Sequence, residues 1–424
     1  VRLLRTILAL MPCGKPQAAH FAHLVELLLW LPGRANFTGL EHYGDRSART
    51  HARWFARPFP FARLAVAALG ALHPRVPEGL GSALAVDASF VDKSGHETWG
   101  TGWFWSGMAR AVRWGLEVTL LAAVDIEEGG AYPLCARQSP GTVRARRQAC
   151  GADTGRETTV DTALALVREA VAAGAKESLG TRWVVADGGY SSRTFVEGVR
   201  ERDLHPVGRL RRDSVLRFPY TGPHARRPGR RRQFDGGFDR RDLSRMTRTT
   251  LGDEKVDLYH AVLHGKTWQC WMQVVYVLPR GADPQTKEGV LLYSTDLDLA
   301  PERLFRIYRA RFQIEFAFRD AKQHLGLHHG QARSQARLHF HFNIVFAALF
   351  WARLQARLRA QRSLGPFSLR DRKRHNFEAE IHKWFAVRSA AGRNAPNTAA
   401  VGHPILPTSP WLRAPPLELG LSDP

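Results

Sequence analysis

The stretch from Ser82 to Ser192 most constrains what this chain can fold into, because it interleaves short apolar runs with one long amphipathic pattern. "SALAVDASFV" is an apolar run opening into alternation, "TGWFWSGMARAVRWG" reads as a second strand and a turn, and "LEVTLLAAVD" as a third strand. A helix follows in "TTVDTALALVREAVAAGA", with apolar residues at the helical period. Then comes "RWVVADGGYSS", a short buried strand ending in Asp and two glycines, and "HPVGRLRRD" adds a further strand. Such a series buries its apolar faces as a mixed sheet with helices packed on it, an α/β architecture.

Around this core the chain divides into five parts. Residues 1–78 read as a helical N-terminal region, either a small DNA-binding module or a cap with Trp54 and Phe55 in its core. The α/β core begins in 79–208. Residues 209–298 form a basic, β-rich insertion, in which "KVDLYHAVLHGKTWQCWMQVVYVLP" reads as a hairpin. Residues 299–391 complete the core and add C-terminal helices. The Pro-rich, aperiodic segment 392–424 reads as a disordered tail.

The formal charge is +22 over 424 residues. So much uncompensated Arg and Lys repels itself unless a polyanion is the usual partner, which makes nucleic acid the first candidate. A membrane surface is the rival, but no apolar run reaches about 18 residues and no basic amphipathic segment stands apart from the fold; "FNIVFAALFWARL" reads as a buried helix. Arg is densest in "RLRRDSVLRFPYTGPHARRPGRRRQFDGGFDRRDLSRMTRTT", where Arg230, Arg231 and Arg232 are candidate phosphate contacts. The four cysteines form no C-x-x-C pair, so neither a zinc site nor a disulfide framework is suggested, in keeping with a reducing cytosol. The opening "VRLLRTILALMPCGKP" has the basic start and short apolar run of a signal peptide but runs into another helix without a small-residue cleavage site. An initial Val leaves the true start open.

"RLFRIYRARFQIEFAFRDAKQHLGL", residues 303 to 327, reads as one helix with two polar stripes. At about 100° per residue, Arg306, Arg309, Gln313 and Asp320 share an arc that reads as the solvated face. Arg311, Glu315, Arg319 and Lys322 gather within about 60° of Tyr308 to make the second stripe. Phe305, Phe312 and Phe316 border this stripe on one side and Ile307, Ile314 and Phe318 on the other, so packing is expected on both shoulders. A carboxylate held there needs cations or metal beside it. An i,i+4 ion-pair ladder, Arg311 to Glu315 to Arg319, is the plainer alternative.

Three acids sit where a sheet would bring them together. Asp87 follows the run "ALAV", Asp187 ends "RWVVA", and Glu315 occupies the second stripe. Carboxylates at the ends of neighbouring strands suit hard cations, and two such ions can clamp the oxygens of an in-line phosphoryl displacement. Asp187-Gly188-Gly189 is also ordinary turn chemistry. Asp92 and Asp125 compete with Asp87, which is preferred because the apolar run before it fixes its position.

Tyr308, Arg311, Glu315 and Lys322, with two, three and six residues between them, match the Tyr-Arg-Glu-Lys signature of bacterial insertion-sequence transposases of the DDE class, the IS-four group. "LPGRANFTGLEHYGDRSARTHARWF", "DASFVDKSG", "ADGGYSS", "GRLRRDSVLRFP" and "GLHHGQARS" also resemble that family, so the likeness covers most of residues 30 to 345. It implies an RNase H-like mixed sheet flanked by helices, with the β-rich insertion placed before the last acid. Asp87, Asp187 and Glu315 would hold two magnesium ions, with manganese able to substitute, and Tyr308, Arg311 and Lys322 would grip phosphates, Arg319 standing on the same stripe. Where relatives often carry a second polar or acidic residue after the first Asp, this chain has Ala88 and Ser89. Trp268, or Trp271, corresponds to an insertion Trp that in some relatives stacks on a flipped base.

The implied activity is cleavage at the ends of an insertion element followed by joining of the 3′-hydroxyl to target DNA. The implied partners are double-stranded DNA and a second copy in a synaptic dimer, in the bacterial cytoplasm and on the nucleoid. A nuclease of the same fold that cannot join strands, or a relative that binds DNA without catalysis, are the alternatives. A glycosidase using paired acids fits poorly with the Arg-dense insertion.

Overall fold

The first strand is apolar through its opening half because both of its faces are covered. In a computed structural model describing residues 2–71, 81–139, 158–223, 231–252, 255–286, 289–360 and 367–392, β1 (Ser82–Asp92) lies inside a twelve-stranded sheet. Ala83, Leu84, Ala85 and Val86 are fully buried, as expected of a strand covered on both faces. β1 pairs antiparallel with β3 (Ala111–Asp125) along its whole length. β3 in turn meets β2 (Gly102–Ser106) with its first half and β4 (Ala131–Gln138) with its second. On the other side β1 runs parallel to β5 (Trp183–Ala186), and β5 parallel to β6 (His205–Arg209).

The basic β-rich stretch continues this sheet rather than standing apart. β12 (Val290–Ser294) pairs antiparallel with β6. Beyond it lie β11 (Cys270–Pro279), β10 (Val256–Gly265), β7 (Leu216–Pro219) and β8 (Phe234–Gly237), with β9 (Thr247–Thr250) on β10. The β10–β11 hairpin is the one expected from the sequence. A second, smaller core fills this region, built from residues such as Phe218, Leu263, Met272 and Tyr293.

The N-terminal helices α1 (Arg2–Leu8), α2 (Lys15–Leu28), α3 (Phe37–Tyr43), α4 (Ala48–Trp54) and α5 (Phe61–Gly70) are part of the main core. Asn36 and Ser47 cap α3 and α4 through their side-chain oxygens. Phe55 is buried and packs against Phe340, 4.6 Å away between ring centres, while Trp54 is half-buried on His20.

Helices cover both faces of the central strands. α6 (Thr159–Ala172) begins with a Thr158/Asp161 capping box and reaches Glu117 of β3 through Thr159. With α6 come α7 (Ala175–Leu179) and α8 (Arg193–Arg200). The opposite face carries α9 (Pro301–Ala310), α10 (Gln313–His324) and α11 (Gln335–Ala360), and α12 (Leu369–Gly392) closes the described chain. β4 is an edge strand, and α11 seals it: buried Asn343 accepts from the Ala136 N–H and donates to its carbonyl, each at 2.8 Å. An edge so covered cannot recruit another strand at that residue. The run "FNIVFAALFWARL" is the buried part of α11, and no helix among the described residues is long and apolar enough to cross a membrane.

The structure corrects the sequence reading in several places. The segment 303–327 is two helices, because the hydrogen bonds tighten to three-residue spacing around Arg311 and Phe312: Phe312 N–H to Arg309, Ile314 N–H to Arg311, Glu315 N–H to Phe312. One shoulder of the second stripe is packed throughout and the other in part: Ile307, Ile314 and Phe318 are buried, while opposite them Phe305 is buried, Phe316 half-buried and Phe312 49 % exposed. Asp320, expected in water, is buried against Arg353 at 2.9 Å. β4 had no counterpart in the sequence reading. The segment read as a tail, apart from Gly392, lies outside the described residues.

Candidate active site

The parallel pairing of β1 with β5 sets Val86 beside Ala186, so the next residues, Asp87 within β1 and Asp187 just past the end of β5, follow side by side. Glu315 enters from α10, whose first turn places it over the same strand ends. Arg311, one turn earlier, fixes the arrangement. Its guanidinium lies 3.4 Å from a carboxylate oxygen of Asp87 and 3.3 Å from one of Glu315, and its side chain is only 12 % exposed. It also lies over the ring of half-buried Tyr308, 5.7 Å from the ring centre.

The electrostatics follow from crowding three acids around one buried cation. Burial raises the Asp87 carboxyl to about 6; Arg311 and the Ala88 N–H oppose the shift, and Glu315 and Asp187 add to it. Burial likewise lifts the Tyr308 hydroxyl, against the pull of Arg311. Nε of Arg311 is buried without a hydrogen-bond acceptor, so the acids do not use all that this guanidinium offers.

Lys322 stands on the same side of α10, but its ammonium is committed. It donates to the Ser89 hydroxyl at 2.8 Å and the Phe90 carbonyl at 2.7 Å, pinning α10 to β1. One N–H remains for other acceptors. Burial lowers its pKa. Arg319 is exposed and lies along the Phe316 ring at 4.7 Å. A cleft of about 570 Å³ runs past Asp87, Ser89, Glu315, Arg319 and Lys322, with Trp105 and Met108 on its far wall.

Not every candidate joins this site. Arg231 and Arg232 are exposed beside β8, seven strands from β1 in the sheet order; at about 4.8 Å per strand that is on the order of 30 Å. Arg232 is bound to Asp235 at 2.7 Å. Arg230 lies outside the described residues. Trp268 is 5 % exposed in the second core, and its indole N–H is donated to the Ser191 carbonyl at 3.2 Å, so in this structure its ring packs as a core residue. Trp271 is half-buried against His264, 5.2 Å between ring centres. Of the rivals to Asp87, Asp125 is buried on Arg357 and caps the turn at Glu127 and Glu128, while Asp92 is exposed on the cleft wall. The sequence reading gave no role to Ser89 or to the wall residues Trp105 and Met108. Two tryptophans at i and i+2 in "GWFWS" were the available signal for that wall.

The donor chemistry of Asp87, Asp187 and Glu315 is all oxygen, which suits hard divalent cations. Among the described residues no group of three such side chains is already arranged around a metal position. Arg311 lies between Asp87 and Glu315, in contact with both.

The mixed sheet and the helices that cover it define an α/β protein. The chain belongs to the DDE superfamily endonucleases, whose family model matches residues 24–284, a span that contains Asp87 and Asp187 and stops short of Glu315. No curated protein matches the sequence. Among solved structures, a piggyBac transposase synaptic complex with hairpin DNA, determined by cryo-electron microscopy, is similar at 12 % identity and a TM-score of 0.41, over 94 % of this chain and 79 % of that one.

Proposed function

We propose that this protein is a DNA transposase of the IS-four type with an RNase H-like core, which cuts phosphodiester bonds at the ends of an insertion element and joins the 3′-hydroxyl to target DNA. The observation that carries the reading is the meeting of Asp87, Asp187 and Glu315, 100 and 128 residues apart in the chain, around one guanidinium in an endonuclease family. The strand order β4-β3-β1-β5-β6, the first three antiparallel and the last two parallel to β1, supports the RNase H-like assignment. The charge of +22 supports DNA as the partner.

The three acids would hold two magnesium ions, which when bound activate the attacking hydroxyl and stabilise charge developing on the phosphate. Arg311 supplies a cation beside the scissile group, and its unpartnered Nε offers a donor to a phosphate oxygen. Tyr308 keeps its hydroxyl protonated and able to donate. Lys322 holds α10 against β1 and lends its remaining N–H. A rigid arrangement of such groups accelerates the reaction through positioning and preformed charge. The synaptic dimer and a place on the bacterial nucleoid belong to the same proposal.

Wild type, Asp187→Asn and Glu315→Gln are incubated with end-bearing duplex, a supercoiled target plasmid and magnesium. Wild type should cleave and join, while both variants should bind DNA without cutting it. Unchanged cleavage by Asp187→Asn would remove the metal assignment. Because the family is described as endonucleases, a cutting enzyme without joining is the second reading, and cleavage with no joined product would establish it.

A further inference from the structure

We propose that the β2–β3 hairpin is a stacking platform for unpaired DNA bases, with Trp105 as the ring that receives the base. This deepens the DNA reading above and rests on it.

The antiparallel register decides which side chains share a face. Asp87 is opposite Leu120 and Ser89 opposite Val118, so even-numbered residues of β3 lie on the Asp87 face of the sheet. Val112 and Trp114 are on that face, and their partners across the hairpin are Trp105 and Trp103. One face of the hairpin is therefore Trp103, Trp105, Val112 and Trp114, turned the same way as the carboxylate cluster. The chain leaves most of it in water: Trp103 is 63 % exposed, Trp105 62 %, Val112 57 %, and Met108 at the tip 89 %. Trp114 is half-buried and props the face from below, 5.7 Å from Trp103 and 4.8 Å from His96 between ring centres.

So much exposed apolar surface needs an occupant. Trp105 and Met108 line the same cleft as Asp87, Glu315, Arg319 and Lys322. That cleft thus has a charged wall, where Arg319 and Lys322 stand among the acids Asp87, Asp92 and Glu315, and an aromatic wall suited to a base. From Thr98 to Leu116 there is no acidic residue, while Arg110 is exposed at the hairpin tip and Arg113, paired with Phe104, is exposed on the other face. A hairpin with basic residues and no acid favours a polyanion as its neighbour. Base stacking on an open indole is tolerant of sequence, because every base has a π-face.

The test uses the full chain in EDTA with two labelled oligonucleotides, a fully paired duplex and the same duplex carrying a three-base single-stranded gap. Anisotropy gives both affinities for wild type, Trp105→Ala and Trp105→Phe. Wild type should prefer the gapped DNA, and Trp105→Ala should reduce that preference by roughly 10-fold, the effect of one base–aromatic stack. Trp105→Phe should restore most of it, and quenching of tryptophan fluorescence by gapped DNA should shrink in the Ala variant. An unchanged preference in Trp105→Ala would overturn the inference while leaving the DNA reading intact. So would a dimer in sedimentation that Trp105→Ala dissolves without altering the preference, which would make the face an interface between copies. Failure of wild type to bind either DNA would overturn the DNA reading, and the inference with it.

Discussion

Asp87 should weaken the fold it sits in, and replacing it with Asn should stabilise the metal-free protein. The carboxyl titrates at about 6 in the folded chain against 3.8 for an unperturbed Asp, and at 1.36 kcal/mol per pH unit that gap costs about 3 kcal/mol. Its folded pKa lies above the unfolded one, so the folded state holds the proton more tightly. Below about pH 4 both states are protonated and the cost is absent. It grows as pH rises and is complete above about pH 6. Asn imitates the neutral acid and keeps the oxygen that accepts the Ala88 N–H at 2.9 Å, while Arg311 retains Glu315. Urea unfolding of wild type and Asp87→Asn in EDTA, at pH 7.5 and pH 4, measures the difference. The variant should gain up to about 3 kcal/mol at pH 7.5 and little at pH 4. Equal or lower stability at pH 7.5, or a gain independent of pH, would refute the reasoning. Magnesium should narrow the gap by stabilising only the wild type.

Two further outcomes are expected from the buried polar groups. Burial depresses His20 to about 3 and His51 and His341 to about 4, from an ordinary 6.5, so all three stay neutral in the fold while the unfolded chain protonates. Their stability is whole above pH 6.5 and falls below it, by about 2 kcal/mol each at pH 5, of which Asp87 returns about 1.4 by taking up its own proton. Tryptophan fluorescence should report acid unfolding near pH 5, and His51→Phe should recover about 2 kcal/mol there. Separately, Arg353→Ala leaves Asp320 only its longer 3.6 Å contact with exposed Arg319 and should cost about 3 kcal/mol by urea unfolding, whereas Asp320→Asn with Arg353→Met should recover most of it.

What could be read from the sequence was what local physics determines. The first half of β1 and the whole of β5 announce themselves as apolar runs because both faces are covered, and Asp87 and Asp187 follow directly on those runs. β4 escaped notice because "AYPLCARQ" mixes Pro, Cys and Arg, and its pairing is completed by Asn343 from 207 residues away. The helical wheel placed Arg311 and Glu315 together. It could not show that α9 and α10 part at Arg311, or that Asp320 faces Arg353 on α11, since both depend on what packs against the helices. The tryptophans show the same limit from the other side. Trp268 and Trp105 are equally aromatic and each lies in a β-hairpin of the sheet, and only tertiary burial separates a core ring from a wall ring.

The same segment delivers both the third acid and its counter-charge. Without Arg311, three carboxylates would converge with no cation among them, and the fold could hold them only by protonating more than Asp87. With Arg311 they are held in register, but a guanidinium and a divalent ion cannot both fill the space between Asp87 and Glu315. Binding of an ion there must therefore free the guanidinium from at least one acid, while Arg311 remains one turn from Glu315 and beside Tyr308. A freed, buried guanidinium demands a new anion, and a phosphate lying across the acids is the nearest one a DNA substrate could bring. Ion and substrate then favour each other's binding through this side chain. Arg311→Ala should accordingly take up manganese without DNA more tightly than wild type, as read by electron paramagnetic resonance, and equal affinities would show that the guanidinium does not stand in the ion's place.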